Sequence, residues 1–146
     1  MFSKACEYAI RATTQIMLNS IKGEKTGLKN IAESIDSPEA YTAKILQQLN
    51  KASIVCSTKG PNGGFYIPQT SFSTLKLSEI VKLYEGEKFF TACGLGLKDC
   101  SEKNPCPLHH SFKKIRSNLK KMIENTSIYD LAVEMEKGNG FLKINN

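Results

Sequence analysis

Ile54-Val-Cys-Ser-Thr-Lys59-Gly-Pro-Asn-Gly-Gly-Phe65-Tyr-Ile67 is the stretch that decides the fold. Both ends are rich in β-branched and aromatic residues, and the middle is dense turn chemistry, so the stretch predicts a β-hairpin. Glycines at the tip let a backbone approach a phosphate or a narrow groove. Lys59 supplies charge there, Asn62 a side-chain donor and Gly63 the close approach. A nucleotide-phosphate loop would need Gly, four residues, Gly, Lys and Ser or Thr before a helix, and that pattern is absent.

Upstream, Asp36-Ser37-Pro38-Glu39 joins a cap residue, a proline at the first helical position and an acid in the first turn. The helix it opens runs to about Ala52, with Tyr41, Ile45, Leu46 and Leu49 inward. Its outward face carries Ala40, Ala43, Lys44, Gln47, Gln48 and Lys51, with no acid after Glu39. A shorter helix precedes it, with Thr26 as cap and Leu28, Ile31, Ala32 and Ile35 at helical spacing. Such a helix pair is common, and its polar face can be an ordinary solvated one. Followed directly by a basic, glycine-rich hairpin, it reads as a winged helix-turn-helix. The DNA-contacting candidates are Lys29, Ser37, Ala40, Tyr41, Ala43, Lys44, Gln47, Lys59, Asn62 and Gly63.

A first helix spans Ser3 to about Ser20, capped by Ser3 with Glu7 in its first turns. Ala5, Tyr8, Ala9, Ala12 and Ile16 form one apolar stripe, and Cys6, Ile10, Met17 and Ile21 a second. Two apolar faces call for two partners, one of them a second subunit. Cys6 reads as a buried structural thiol. After a Pro68–Ser73 linker, Leu77, Ile80, Val81 and Tyr84 mark a short helix ended near Gly86. Pro107 opens a long helix in which Leu108, Phe112, Ile115, Leu119, Met122 and Ile123 recur at near-heptad steps. The seam Phe112, Ile115, Leu119 and Met122 wants a partner helix, which a symmetric copy would supply. Ser127 and Asp130 start a last helix to about Glu136, and Lys137–Asn146 reads as a frayed tail.

Between these helices lies Cys93-Gly-Leu-Gly-Leu-Lys-Asp-Cys100-Ser-Glu-Lys-Asn-Pro-Cys106-Pro-Leu-His109-His110. It holds three of the five cysteines and both histidines, and has no apolar periodicity. Zinc knuckles pair cysteines two residues apart. Here the gaps are six and five residues, wide enough for a cluster approached from several directions. His109 could fill a fourth position beside Cys93, Cys100 and Cys106. A thiol-redox loop and an exposed loop with incidental cysteines are the other readings.

Composition sets the bounds. At 146 residues, with 40% hydrophobic and 23% charged residues, the chain has room for one domain and an appended element. Net charge is +6, compatible with nucleic acid. No apolar run is long enough to span a membrane, and no signal-peptide pattern is present. The expected location is the cytoplasm, where free thiols persist. No general acid–base constellation is seen, which argues against an enzyme.

Ser3-Lys-Ala-Cys-Glu-Tyr-Ala-Ile-Arg, Ile31-Ala-Glu, Leu46-Gln-Gln-Leu-Asn-Lys-Ala, Lys59-Gly-Pro-Asn-Gly-Gly-Phe and the three-cysteine loop occur in one order. In this the chain resembles the IscR/NsrR-type bacterial winged-helix regulators, the Rrf-two (Rrf2) family. The resemblance implies a mainly α fold with a small β-hairpin wing and a long C-terminal dimerisation helix. Residues 1–90 would form the DNA-binding domain, 91–110 the cysteine-rich cluster-binding loop and 107–136 the dimerisation helices. It implies a homodimer on a palindromic double-stranded DNA operator, acting as a repressor. It also implies an iron–sulfur cluster, 2Fe-2S favoured over 4Fe-4S, that senses cluster status, nitric oxide or redox stress. Cys93, Cys100 and Cys106 match the thiolate ligands and His109 the completing histidine. Glu7 matches the acidic position that serves instead in NsrR-like members. The alternative within the same fold is a metal-free thiol-redox regulator. Two departures stand out: a first cysteine gap of six rather than five residues, and Lys59 where IscR-like members carry arginine. Lysine lacks the planar fork of arginine, so groove reading there is expected to be weaker.

Overall fold

The computed structural model describes residues 1–143. Six α-helices and one hairpin occur in the order α1 (Lys4–Ile21), α2 (Leu28–Ser34), α3 (Glu39–Lys51), β1 (Cys56–Thr58), β2 (Gly64–Tyr66), α4 (Leu77–Glu85), α5 (His109–Asn125) and α6 (Ile128–Glu136). A 3-10 turn at Gln69–Ser71 sits in the expected linker, and another at Glu87–Phe90 leads into the cysteine loop. The fold is therefore mainly helical with a two-stranded antiparallel wing. Among the described residues no helix is long and apolar enough to cross a membrane.

α1 is the centre of the molecule. The Ser3 hydroxyl caps it by accepting from the Cys6 amide at 3.2 Å. Cys6, Ala9, Ala12, Thr13, Ile16 and Met17 are fully buried. The two threonines on its buried side, Thr13 and Thr14, return their hydroxyls to the carbonyls of Ala9 and Ile10, so neither leaves a polar group unpaired in the core. The second apolar face is covered within the chain only in part, with Ile10 half-buried and Ile21 exposed. Cys6 and Met17 are covered within the chain, because α6 and α4 pack on α1 alongside α2 and α3. Each fully buried aliphatic side chain here contributes about 1.5–3 kcal/mol.

α3 presents Ile45, Leu46 and Leu49 to this core. Pro38 sits at its cap with extended ψ of 134°, one position before the helix rather than inside it. The Ser37 hydroxyl caps no amide; it accepts from the Thr42 hydroxyl at 2.8 Å. Thr26 is a second departure. α2 starts after Gly27, with no side-chain cap. Thr26 instead forms an antiparallel bridge with Phe65: its amide donates to the Phe65 carbonyl at 3.0 Å and its carbonyl accepts at 2.8 Å. The wing is thereby pinned to the body of the domain, with Cys56 opposite Tyr66, Ser57 opposite Phe65 and Thr58 opposite Gly64. Asn50 at the end of α3 also donates to the Ser57 hydroxyl at 3.1 Å.

The C-terminal elements close the core. Ser127 accepts from the Asp130 amide at 3.0 Å and caps α6. Ile123, Ile128 and Ala132 are fully buried in the same cluster as Cys6 and Ile16. The segment expected to fray does not fray at its start: Leu142 packs against the core, and Lys143 donates to the Glu33 carbonyl at 3.1 Å. Residues 144–146 of that expected tail lie outside the described residues.

A side chain at Gly64 tests the wing's attachment. Its φ is +140°, and a Cβ there would meet the Thr26 backbone at 2.9 Å. Gly64→Ala is expected to destabilise the protein by roughly 1–3 kcal/mol. Thermal unfolding reads the loss, and faster hydrogen exchange at the Phe65 and Thr26 amides locates it. Unchanged exchange there would show that the bridge does not hold the wing.

Candidate metal centre and nucleic-acid interface

The cysteine loop leaves α4 at Gly86, whose φ is +79°, and returns to helix at His109. Pro107 and Leu108 stay outside α5, so the helix begins two residues later than the proline suggests. Before it, the His109 amide donates to the Cys106 carbonyl at 3.0 Å in a single turn. Phe112 of α5 lies against Gly94, where an added Cβ would come within 2.6 Å of its ring. That contact folds the start of the loop onto the helix.

The three thiols converge. The sulfurs of Cys93, Cys100 and Cys106 lie within 4.8 Å of one another, and Cys93 Sγ to Cys106 Sγ is 3.7 Å. Amides turn inward on them: Leu95 donates to Cys93 Sγ and Cys106 to Cys100 Sγ, both at 3.4 Å. His109 Nδ1 is 3.2 Å from Cys100 Sγ. Helical spacing pairs His109 with Cys106, yet the sulfur in contact is that of Cys100. All five cysteines are free thiols. Soft donors gathered this closely, half-buried on an otherwise exposed loop, suit iron–sulfur ligation, with an imidazole nitrogen at the edge of the set.

Electrostatics distinguish the thiols. Amides at Leu95 and Leu97 lower the Cys93 thiol to about 7. The Cys106 amide pulls Cys100 down, but burial and the neighbouring thiols outweigh it and the net shift is upward. Far from the loop, burial and then the Glu85 carboxylate push Cys6 up to about 12, which fits an inert structural thiol. The sequence reading passed over two participants. Glu102 Oε1 meets His109 Nε2 at 3.1 Å and also accepts from Lys113 Nζ, which hold its carboxyl down to about 2, Lys113 contributing most. A carboxylate within reach of a ligand histidine in a folded loop has no signature in spacing. His110 is exposed, with its ring edge-on to His109. Glu7 is paired with Lys4 at 3.3 Å.

The candidate nucleic-acid residues divide into two groups by exposure. Lys29, Ala40, Lys44, Gln47, Lys59 and Asn62 are exposed on α2, α3 and the wing tip. Ser37, Tyr41, Ala43 and Gly63 are half-buried. The Tyr41 ring stands edge-on to Tyr8 at 5.4 Å, so it braces α3 on α1. The apolar seam expected from Leu108 through α5 also divides. Leu119 and Ile123 turn to the chain's own core and Phe112 to the loop, whereas Leu108, Ile115 and Met122 stand exposed seven residues apart.

The chain as a whole is similar to known proteins. A family model described as "Rrf2: Iron-dependent Transcriptional regulator" matches residues 2–134. A protein of Aquifex aeolicus (strain VF5) whose name places it among HTH-type transcriptional regulators is 30% identical over 139 residues, 94% of each chain. The HTH-type transcriptional regulator IscR of Vibrio vulnificus (strain YJ016) is 25% identical over 129 residues, covering 88% of this chain and 75% of that one. The solved structure of CymR, the global cysteine regulator of B. subtilis, superposes with a TM-score of 0.74 at 21% identity, covering 91% of this chain and 96% of that one; that likeness is one of fold.

In the metal-free protein Cys93 is expected to alkylate before Cys100 at pH 7. The thiolate is the nucleophile, and Cys93 reaches it as pH rises through about 7, whereas Cys100 needs a pH above the ordinary thiol range. Timed iodoacetamide labelling with peptide mass mapping checks the order. Equal rates at pH 7 would contradict the inward-turned amides.

Proposed function

Because the chain belongs to the Rrf2 family of transcriptional regulators, we propose that it binds a palindromic operator as a homodimer whose affinity is gated by an iron–sulfur cluster. The chain is a regulator and not an enzyme. The observation that carries the reading is the convergence of Cys93, Cys100 and Cys106 within 4.8 Å, with His109 Nδ1 turned to Cys100. These four residues would hold the cluster, and residues 91–110 form its loop. When bound, a cluster supplies iron–thiolate bonds that nitric oxide, oxidants or iron shortage can break. Without it, the thiols lose the common partner that ties the two ends of the loop together.

The protein's own residues do the rest. Residues 1–90 bind DNA: Lys44 and Gln47 on α3 face the major groove, and Lys59 and Asn62 on the wing face phosphate or minor groove. α5 joins two copies, with Leu108, Ile115 and Met122 as the stripe left for the partner. Phe112 and Leu119, on the same expected seam, shape α5 from inside, so residues 107–136 serve both the core and the dimer. Operator binding by a dimer needs half-sites spaced near one DNA turn, about 34 Å. Reordering a loop that ends at the first residue of α5 changes how the two copies meet, and with it that spacing.

A second reading rests on the 3.7 Å between Cys93 Sγ and Cys106 Sγ. The same loop could act without metal: the two thiols would give two electrons and two protons to an oxidant and close a disulfide. That bond needs an approach to about 2.05 Å, a small movement in a loop.

Protein purified without oxygen decides between them. Iron and acid-labile sulfide with a visible absorption spectrum support the cluster; their absence, with a Cys93–Cys106 disulfide after diamide treatment, supports the thiol reading. For the fourth ligand, His109→Ala is expected to change the spectrum and Glu7→Ala to leave it unchanged. The reverse pattern would transfer the role to Glu7.

DNA binding has its own test. Lys59→Ala is expected to weaken operator binding and to lower the magnitude of the salt slope by about 1, the value for one lost phosphate contact. Fluorescence anisotropy across a salt series measures it. An unchanged slope would remove Lys59 from the interface.

A further inference from the structure

His109 differs from a surface histidine. Its side chain is only 10% exposed, and both ring nitrogens are engaged. Nδ1 faces Cys100 Sγ at 3.2 Å, and Nε2 faces Glu102 Oε1 at 3.1 Å. Glu102 is itself anchored from α5 by Lys113. The three side chains form a chain running from helix to thiol: ammonium, carboxylate, imidazole, sulfur. A carboxylate accepts only, so the nitrogen facing it must carry the proton. In the neutral ring the other nitrogen, Nδ1, then presents its lone pair toward the three cysteines. Metal-bound histidines are held in this way, with the far N–H given to a carboxylate that fixes tautomer and ring plane and raises donor strength.

We infer that Glu102 is the positioning residue of this centre: it holds His109 in the Nε2–H tautomer, with Nδ1 aimed into the thiol cluster, and Lys113 holds Glu102. The inference rests on the cluster reading above only for what His109 binds; the tautomer belongs to the protein itself. As a mere surface ion pair the contact would add little to stability and have no effect on the sulfurs. A positioning role affects them, because donor strength and negative charge beside the ligand both favour the oxidised cluster. Their removal raises the reduction potential.

The test uses the full-length protein, with Glu102→Ala and Glu102→Gln. In the metal-free protein at a pH where His109 is neutral, long-range ¹H–¹⁵N correlation spectra read the tautomer directly. The wild type is expected to show Nε2–H. Glu102→Gln keeps an acceptor and is expected to keep that tautomer, and Glu102→Ala is expected to lose it. In the cluster-loaded protein, Glu102→Ala is expected to retain the cluster about 10–100-fold less well. Both variants are expected to move the potential upward. Circular dichroism melts matching the wild type exclude a folding defect, since Glu102 is exposed on the loop.

The outcomes separate the two readings. If the wild type takes up no iron and sulfide, or shows no ¹⁵N hyperfine coupling from a histidine, the ligand role of His109 falls. The metal-free tautomer comparison still decides whether Glu102 positions the ring. If the wild type shows that coupling while Glu102→Ala leaves tautomer, retention and potential unchanged, the ligand reading stands and the inference about Glu102 is overturned.

Discussion

The packing of α1 is the constraint on which the molecule depends. From Ala5 to Ser20 no residue of this helix is exposed. A helix buried or half-buried along this whole stretch must be matched by neighbours on several sides, and the chain supplies them from α2, α3, α4, α6 and the β2 strand. Small residues at Ala9, Ala12 and Thr13 let those neighbours approach closely, and returning hydroxyls settle the polar cost. One core therefore spans the sequence from Cys6 to Ala132. α2, α3 and the C-terminal helices are parts of one body.

α4 is where that body meets the cysteine loop. Its Tyr84 hydroxyl donates to the Ile45 carbonyl on α3 at 3.2 Å, and burial pushes the phenol's pKa upward, keeping it a donor. The next residue, Glu85, accepts from the Ser3 amide at 2.8 Å. Gly86 then turns the chain into the loop. The loop is thus fastened at one end, through α4, to α3 and at the other to α5. Both attachments are short and made of packed or hydrogen-bonded groups.

Local chemistry made much of this legible. The hairpin, the six helices and the capping roles of Ser3 and Ser127 followed from turn residues, periodicity and caps, which act within a few positions. The gathering of Cys93, Cys100 and Cys106 followed from residue type. What escaped was set by partners distant in sequence. Thr26 reads as a cap because threonine before an apolar run usually is one; its bridge to Phe65 depends on the wing folding back across nearly forty residues. The α5 seam reads as one stripe because period alone cannot say which apolar residues face the chain's own core. Leu119 faces inward and Ile115 outward, a division fixed by where α4 and the 3-10 turn at Glu87–Phe90 pack on α5. Glu102 was invisible for the same reason: nothing in its neighbourhood marks a carboxylate as the holder of a histidine seven residues on.

The Thr26 bridge carries one more consequence. Many hairpin tips are hinged only at their own strands and can tilt to suit the groove they meet. Here a third segment, preceding α2, clips the wing from the side, and Asn50 ties its other edge to the end of α3. Helix and wing then form a calliper of fixed opening. If α3 and the wing meet DNA as proposed, such a head would have little room to adapt to a groove of the wrong width, and the shape of the DNA between the two contact points would become part of what is recognised, even at base pairs no side chain touches.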